Sequence, residues 1–335
     1  MSATTTMDRR KQRRFPLAAT IKRATGWQRF MLVTGLIIVG LFLFTAILAP
    51  VLAPYGYAQT GDAAGAFGSQ QAPNDRNLLG TTVSGFDVLS RVIWGTQTAL
   101  LVIIVAVFAS LIIGVLIGLI SGYIGGWLDR IVVVVADAIY AFPSLLLAIV
   151  MSIVISGGNS SLWGGVLAAA LSITVVFIPQ YFRVVRSEVV RVKNEPFVEA
   201  AKVIGAKHSR IMFRHVLRNS IRTLPVIITL NASESILTLA GLGFLGFGIE
   251  PTQAAELGYD LHRSINDVTS GIWWTAIFPG VAIVLIVLGV TLVGESLNDL
   301  ADPRLRGRVA AAVAGGAQAT DVVEETNDNP DEDLP

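Results

Sequence analysis

Asn231 and Glu234 are the two polar residues of this chain set deepest in an apolar run. They stand three positions apart, so a helix would carry both on one face. An ionisable group at membrane depth is costly and normally faces protein or water. The pair therefore reads either as part of a solute path or as an interhelical hydrogen bond that pins packing. Asp137 and Glu295 lie nearer the ends of other apolar runs and read as structural polar contacts. His208, His215 and His262 are widely separated, which predicts exposed polar positions and no metal site. The chain has no cysteine, which excludes a disulfide, a thiolate metal site and a cysteine nucleophile. Gly241 to Gly246 match the G-x-G-x-x-G pattern, but no strand precedes them and they close an apolar run. Close helix packing or a kink is expected there rather than a dinucleotide. The N-x-S/T matches at Asn159 and Asn231 carry little weight, since the second falls within an apolar run. No lysine follows a glycine, so no phosphate loop of the G-x-x-x-x-G-K-[ST] kind exists. No nucleophile–base pair stands out either. The chemistry legible here is passage or contact rather than catalysis, and no cofactor is expected.

The elements that position these residues are membrane spans. Hydrophobic residues make up 53% of the chain and charged residues only 15%, against about 25% charged in soluble domains. The apolar residues come in runs long enough to cross a bilayer. Six spans are predicted, at about 30–53, 98–122, 131–156, 162–182, 221–247 and 272–297. The first is too long for a signal peptide's apolar region and lacks a clear cleavage site. Pro143, Pro179, Pro225 and Pro279 each punctuate a different span, where kinks are expected. The fold class is all-α integral membrane. Its predicted organisation is a basic tail (1–29), a first span (30–53), an outer loop (54–97) and a core of five spans (98–303). An acidic tail (304–335) follows, expected to be disordered because its composition cannot bury a core. The outer loop reads as irregular to about Gly85, then as a short interfacial helix over 86–96 with Trp94 at headgroup level.

With both termini placed in the cytoplasm, 22 of the 25 basic residues fall on the cytoplasmic side, and only Arg76, Arg91 and Arg263 fall outside. That bias predicts the orientation. The same topogenic role explains the basic tail better than nucleic-acid binding does.

One cytoplasmic segment is neither span nor simple loop. Residues 197–225 are polar, basic and about 30 residues long by helical pattern. They read as two short helices broken at Gly205. Asn194 is placed to cap the first, Pro196 suits its opening turn, and Ser209 is placed to cap the second. The pattern is that of a helical hairpin offered to a soluble partner.

Within that hairpin EAAKVIGA, Glu199 to Ala206, resembles the EAA motif of ABC importer permeases. LLGTTVSGFDVLSRVIWG (78–95), SGYIGGWLDR (121–130), DAIYAFPSLLLAI (137–149), RVVRSEVVRVKNEPFVEAAKVIGA (183–206), LGFLGFGIEP (242–251) and LNDLADPRLR (297–306) resemble the dipeptide, oligopeptide and nickel permeases, and specifically their C-type subunit. The likeness runs from about residue 25 to 308. It implies a type I importer permease fold of six spans, with residues 183–220 as the coupling segment. It implies transport of short peptides by alternating access, or of a nickel chelate, glutathione or another peptide-like solute. The implied partners are a second, similar permease, two ATPase subunits that bind the ATP, and an extracytoplasmic solute-binding protein. In this chain Glu199, Ala200, Ala201 and Gly205 would form the docking motif. The small alanines would admit the hairpin to a groove, and Arg210 and Arg214, one helical turn apart, would meet acidic groups of the ATPase. An ion-coupled transporter using Asp137 and Glu234 is the rival class, and it would not need the hairpin. Two departures stand out. Phe86 replaces an arginine between Gly85 and Asp87, which puts that arginine's salt bridge in doubt, and Arg218 stands where a proline is common.

Overall fold

The computed structural model describes residues 26–156 and 162–301. Asn159, most of the basic tail and the acidic tail lie outside the described residues. Two compact units divide the chain. One comprises residues 34–294; the other contains 26–33 and 295–301 of the described residues, where the Ser296 hydroxyl donates to the Gln28 carbonyl at 3.3 Å.

The described chain is almost wholly helical. Helix α1 is Gly26–Ile47 and α2 is Ala49–Leu52. The loop that follows contains only a two-residue hairpin, β1 (Gly61–Asp62) paired antiparallel with β2 (Gly65–Ala66). Helix α3, Val88–Ile124, has 37 residues, which makes it about 55 Å long. The separate interfacial helix expected at 86–96 does not exist. Asp87 caps α3 directly, its carboxylate accepting from the Ser90 amide at 2.8 Å and the Ser90 hydroxyl at 2.7 Å. Gly95 falls inside this stretch without ending the helix, and no Pro intervenes between 88 and 98, so the helix continues into the bilayer run.

The third predicted span is broken. Helices α4 (Gly126–Tyr140) and α5 (Ser144–Ser156) meet at 98° around Pro143. Helix α6, Leu162–Val192, runs well past the predicted end at 182 and carries Pro179 inside it. Then come α7 (Pro196–Val203), α8 (His208–Arg210), a π turn over Ile211–Val216 and α9 (Leu217–Ser220). Helix α10 is Leu224–Phe244. Pro225 sits in its first turn, where a missing N–H is harmless, so it opens this span rather than kinking it. Short helices α11 (Leu257–Arg263) and α12 (Ile265–Thr269) precede α13, Trp274–Ala301, which keeps Pro279 within it. Among the described residues five helices are long and apolar enough to cross a membrane, or six with the bent pair counted as one. This is a multi-pass membrane protein of the all-α class.

The core of the larger unit forms where α3 and α6 meet. Gly114, Gly118 and Gly122 lie at spacings of four on α3, facing α6. A Cβ at Gly114 would lie 2.6 Å from Tyr181 Cβ, and one at Gly118 would lie 2.8 Å from the Phe182 carbonyl oxygen. Bare backbone on one face lets the two helices close together, the usual device where lipid supplies no hydrophobic drive to pack. Val102, Ala106, Ile173, Phe177, Val185 and Val189 are buried around that seam.

Candidate functional site

The segment from Pro196 to Ser220 folds back on itself as a hairpin, turned at Gly205 with φ of +77°. A side chain there would strain the backbone, and no neighbour crowds the position. Pro196 does occupy the first turn of α7, but the expected caps are absent. Asn194 instead donates to the Val190 carbonyl at 3.1 Å, serving the end of α6, and Ser209 lies inside α8, behind Lys207 at the cap position. Asn and Ser can satisfy either neighbour, and here the long preceding helix takes Asn194.

The six expected docking residues divide into two sets. Glu199, Ala200, Gly205, Arg210 and Arg214 are exposed. Ala201 is buried beside Val198, Ile211 and Val216, so its small side chain lets the hairpin close on itself rather than enter a partner. Arg214 lies in the π turn, four positions after Arg210 of α8. Lys202, Lys207, Arg210, Arg214 and Arg218 are all exposed, and none has an ion-pair partner among the described residues. Two residues that the sequence reading passed over dominate the tip: Val203 is 86% exposed and Ile204 82%. They are the apolar pair immediately before the turn glycine, a legible signal for an apolar contact. Lys193 Nζ ties the hairpin's root to the Gly122 carbonyl at 2.7 Å, and Tyr123 Oη meets His208 Nδ1 at 3.2 Å. Asp129 accepts two bonds from Arg186, each 2.6 Å, and one from Ser121.

A second site lies at the α4–α5 break. A cavity of about 180 Å³ is lined there by Tyr140, Ser144, Phe177, Gln180 and Glu234, among others. Glu234 is the eleventh of the 21 residues of α10, so about 15 Å of helix lies on either side of it. It is exposed and has no ion-pair partner among the described residues. Asn231 does not share its surroundings. It is fully buried, and neither end of its carboxamide has a hydrogen-bond partner. The Tyr181 hydroxyl and the Gln180 carboxamide oxygen are likewise buried without partners. The Tyr181 hydroxyl of α6 is the group that interacts with Asn231 across the two helices, at a geometry short of a regular hydrogen bond. Asp137 does make a structural contact, with Arg183 at 2.7 Å, and the Arg183 guanidinium lies 4.3 Å over the Tyr140 ring.

The opposite end of α3 is tightly organised. Arg91 is 1% exposed. It grips Asp260 with two nitrogens, at 2.9 and 2.5 Å, and donates to the carbonyls of Tyr57 and Pro251, each at 3.0 Å. The Phe86 ring lies 5.2 Å beneath the guanidinium. With phenylalanine at position 86 no cation stands there to make that arginine's salt bridge, and Phe86 serves instead as the aromatic floor of the Arg91–Asp260 pair. Arg76 joins Asp62 at 2.6 Å and stacks on Phe67, and Arg263 reaches Ser84. Glu256 caps α11 by accepting from the amides of Gly258 and Tyr259, both at 2.8 Å. Burial pushes its carboxyl up to about 8, with those two amides pulling the other way. Gly243, from the GLGFLG stretch, packs so close that a Cβ would overlap the Glu256 carboxylate, which meets the expectation of close packing. His208 is exposed, whereas His215 and His262 are half-buried rather than exposed as expected; His262 Nδ1 lies 2.7 Å from the Phe244 carbonyl.

Residues 114–307 match the family described as binding-protein-dependent transport system inner membrane component, and residues 27–78 match the N-terminal TM domain of oligopeptide transport permease C. The chain is 36% identical over 274 residues to the dipeptide transport system permease protein DppC of Alkalihalophilus pseudofirmus, covering 82% of this chain and 86% of that protein. It is 34% identical over 288 residues to the glutathione transport system permease protein GsiD of Escherichia coli O157:H7, covering 84% and 90%. The match to GsiD of Shigella flexneri is 35% over the same length and shares.

Proposed function

The chain belongs to the binding-protein-dependent transport system inner membrane components, and on that premise we propose that it is one permease subunit of an ATP-driven importer of short peptides. The solute crosses the cytoplasmic membrane by alternating access, and ATP is hydrolysed on separate subunits. The observation that carries this reading is the hairpin. It exposes unpaired cations around an uncovered apolar tip at Val203 and Ile204, a combination that calls for a protein partner with an apolar slot and an acidic rim. Glu199, Ala200 and Gly205 form the approach, Arg210 and Arg214 supply the charge, and Ala201 holds the hairpin closed. Both termini lie in the cytoplasm with the hairpin, so the Arg91 end of α3 faces outward toward a solute-binding protein. A second, similar permease completes the pathway. Asn231 and Glu234 belong to that pathway, Glu234 at its wall and Asn231 behind it. Glutathione, itself a small peptide, is the second reading of the solute, favoured by the likeness to GsiD.

Gentle purification of the tagged chain from its native membrane tests the assembly. Recovery of a second permease and ATPase subunits is expected. Recovery of the chain alone, active on an ion gradient, would overturn the proposal.

A further inference from the structure

The α4–α5 cavity carries one carboxylate and, among its other polar lining groups, only neutral ones. Glu234 offers a carboxylate at the middle of α10, where exposure to lipid would be very costly. The Gln180 carboxamide oxygen is buried with no donor, a costly state unless something binds it. Ser144 adds a hydroxyl acceptor, and Tyr140 an aromatic ring that already attracts one guanidinium, that of Arg183. No lysine or arginine lines the cavity. At about 180 Å³ it is smaller than the usual ligand pocket of about 300–1,000 Å³, so it suits one end of a solute rather than a whole one.

We infer that this cavity receives the primary ammonium of the transported solute, with Glu234 as ion-pair partner and the Gln180 oxygen and Tyr140 ring completing the cradle. The inference rests on the importer reading for its solute, but its chemistry is local: a free amine in, and an acylated amine refused. The three donors of an ammonium match the carboxylate, the carboxamide oxygen and the hydroxyl in number.

The test uses the whole transporter purified with its partners, with alanyl-alanine and N-acetyl-alanyl-alanine as probes. Two readouts are taken: ATP-driven uptake into proteoliposomes, and protection of the detergent-solubilised complex against thermal unfolding. Glu234→Gln should weaken uptake of and protection by alanyl-alanine about 10-fold or more, the effect of losing a charge-assisted bond. Its effect on the acetylated probe should be small, and Glu234→Asp should restore part of the difference. Gln180→Leu should act in the same direction but less. If Glu234→Gln lowers uptake of both probes equally, or of neither, the inference is wrong while the importer reading stands. If the wild type carries no peptide yet is protected by alanyl-alanine through Glu234, the importer reading fails and the cradle survives. Absence of both uptake and protection overturns both.

Discussion

The two ends of α3 treat charge in opposite ways. At one end Arg91 is buried and bonded on every side, to Asp260, Tyr57 and Pro251, with Phe86 beneath it. At the other, the hairpin displays a set of cations and an apolar tip that meet no carboxylate and no cover among the described residues. The first region is complete within a single chain; the second, on the proposed reading, is half of an interface. A buried ion pair is worth little as net stability, yet breaking it is severe, because the surviving charge is stranded. An exposed cation costs almost nothing to keep or lose until a partner arrives. Stability and coupling should therefore be separable by mutation.

The largest effect is expected at the buried end. Arg91→Met or Asp260→Asn should lower stability by about 3–5 kcal/mol, read as the thermal midpoint of the purified protein, while hairpin substitutions leave that midpoint in place. A loss under about 1 kcal/mol would mean that water reaches the pair, and the contrast would collapse. Next, Glu199→Lys or Gly205→Trp should abolish ATP-driven uptake with the protein still inserted and at normal abundance. Normal uptake in either variant would remove the hairpin from the coupling role. A smaller change is expected from Val203→Ser with Ile204→Ser, a loss of affinity for the ATPase subunits of about 100-fold if both side chains are fully buried in the complex, measured by co-purification at graded concentrations. Unchanged recovery would leave the apolar tip without a role.

A further effect concerns pH. The folded-state carboxyl of Glu256 sits at about 8, above its usual 4.5. A raised acid favours the fold most below the unfolded value, and that contribution is lost as pH climbs toward the folded one. The thermal midpoint of the wild type should therefore fall between about pH 5 and pH 8, and Glu256→Gln should flatten that part of the curve. An identical slope in both proteins would place the titration elsewhere.

Much of this was legible in the residues. Apolar runs located the membrane helices, because the bilayer demands length and greasiness regardless of tertiary detail. The hairpin was legible because a basic, polar stretch has no reason to interrupt such a chain. The ends were harder. Nothing local to 86–98 or 182–192 announces whether a helix stops at the membrane surface, and α3 and α6 both run on. Caps failed at Asn194 and Ser209 because short polar side chains serve either neighbour equally well. Pro143, Pro179, Pro225 and Pro279 look alike in sequence, but only Pro143 marks a break in the described helices. The Gly114, Gly118 and Gly122 stripe was present at a spacing of four and went unread. The Arg91–Asp260 pair spans 169 positions, and no local pattern joins residues that far apart.

Helix α3 has a mechanical consequence. It is held at Arg91 by contacts to three separate segments, and near its far end Tyr123 touches His208 of the hairpin. That makes it a lever about 50 Å long with its fulcrum at Arg91. A push of a few ångströms at the hairpin would be delivered as a tilt of only a few degrees, spread over the whole α3–α6 seam. The stroke is therefore largest at the hairpin and dies away toward Arg91; with the proposed orientation, the bilayer's inner half should open and close more widely than its outer half.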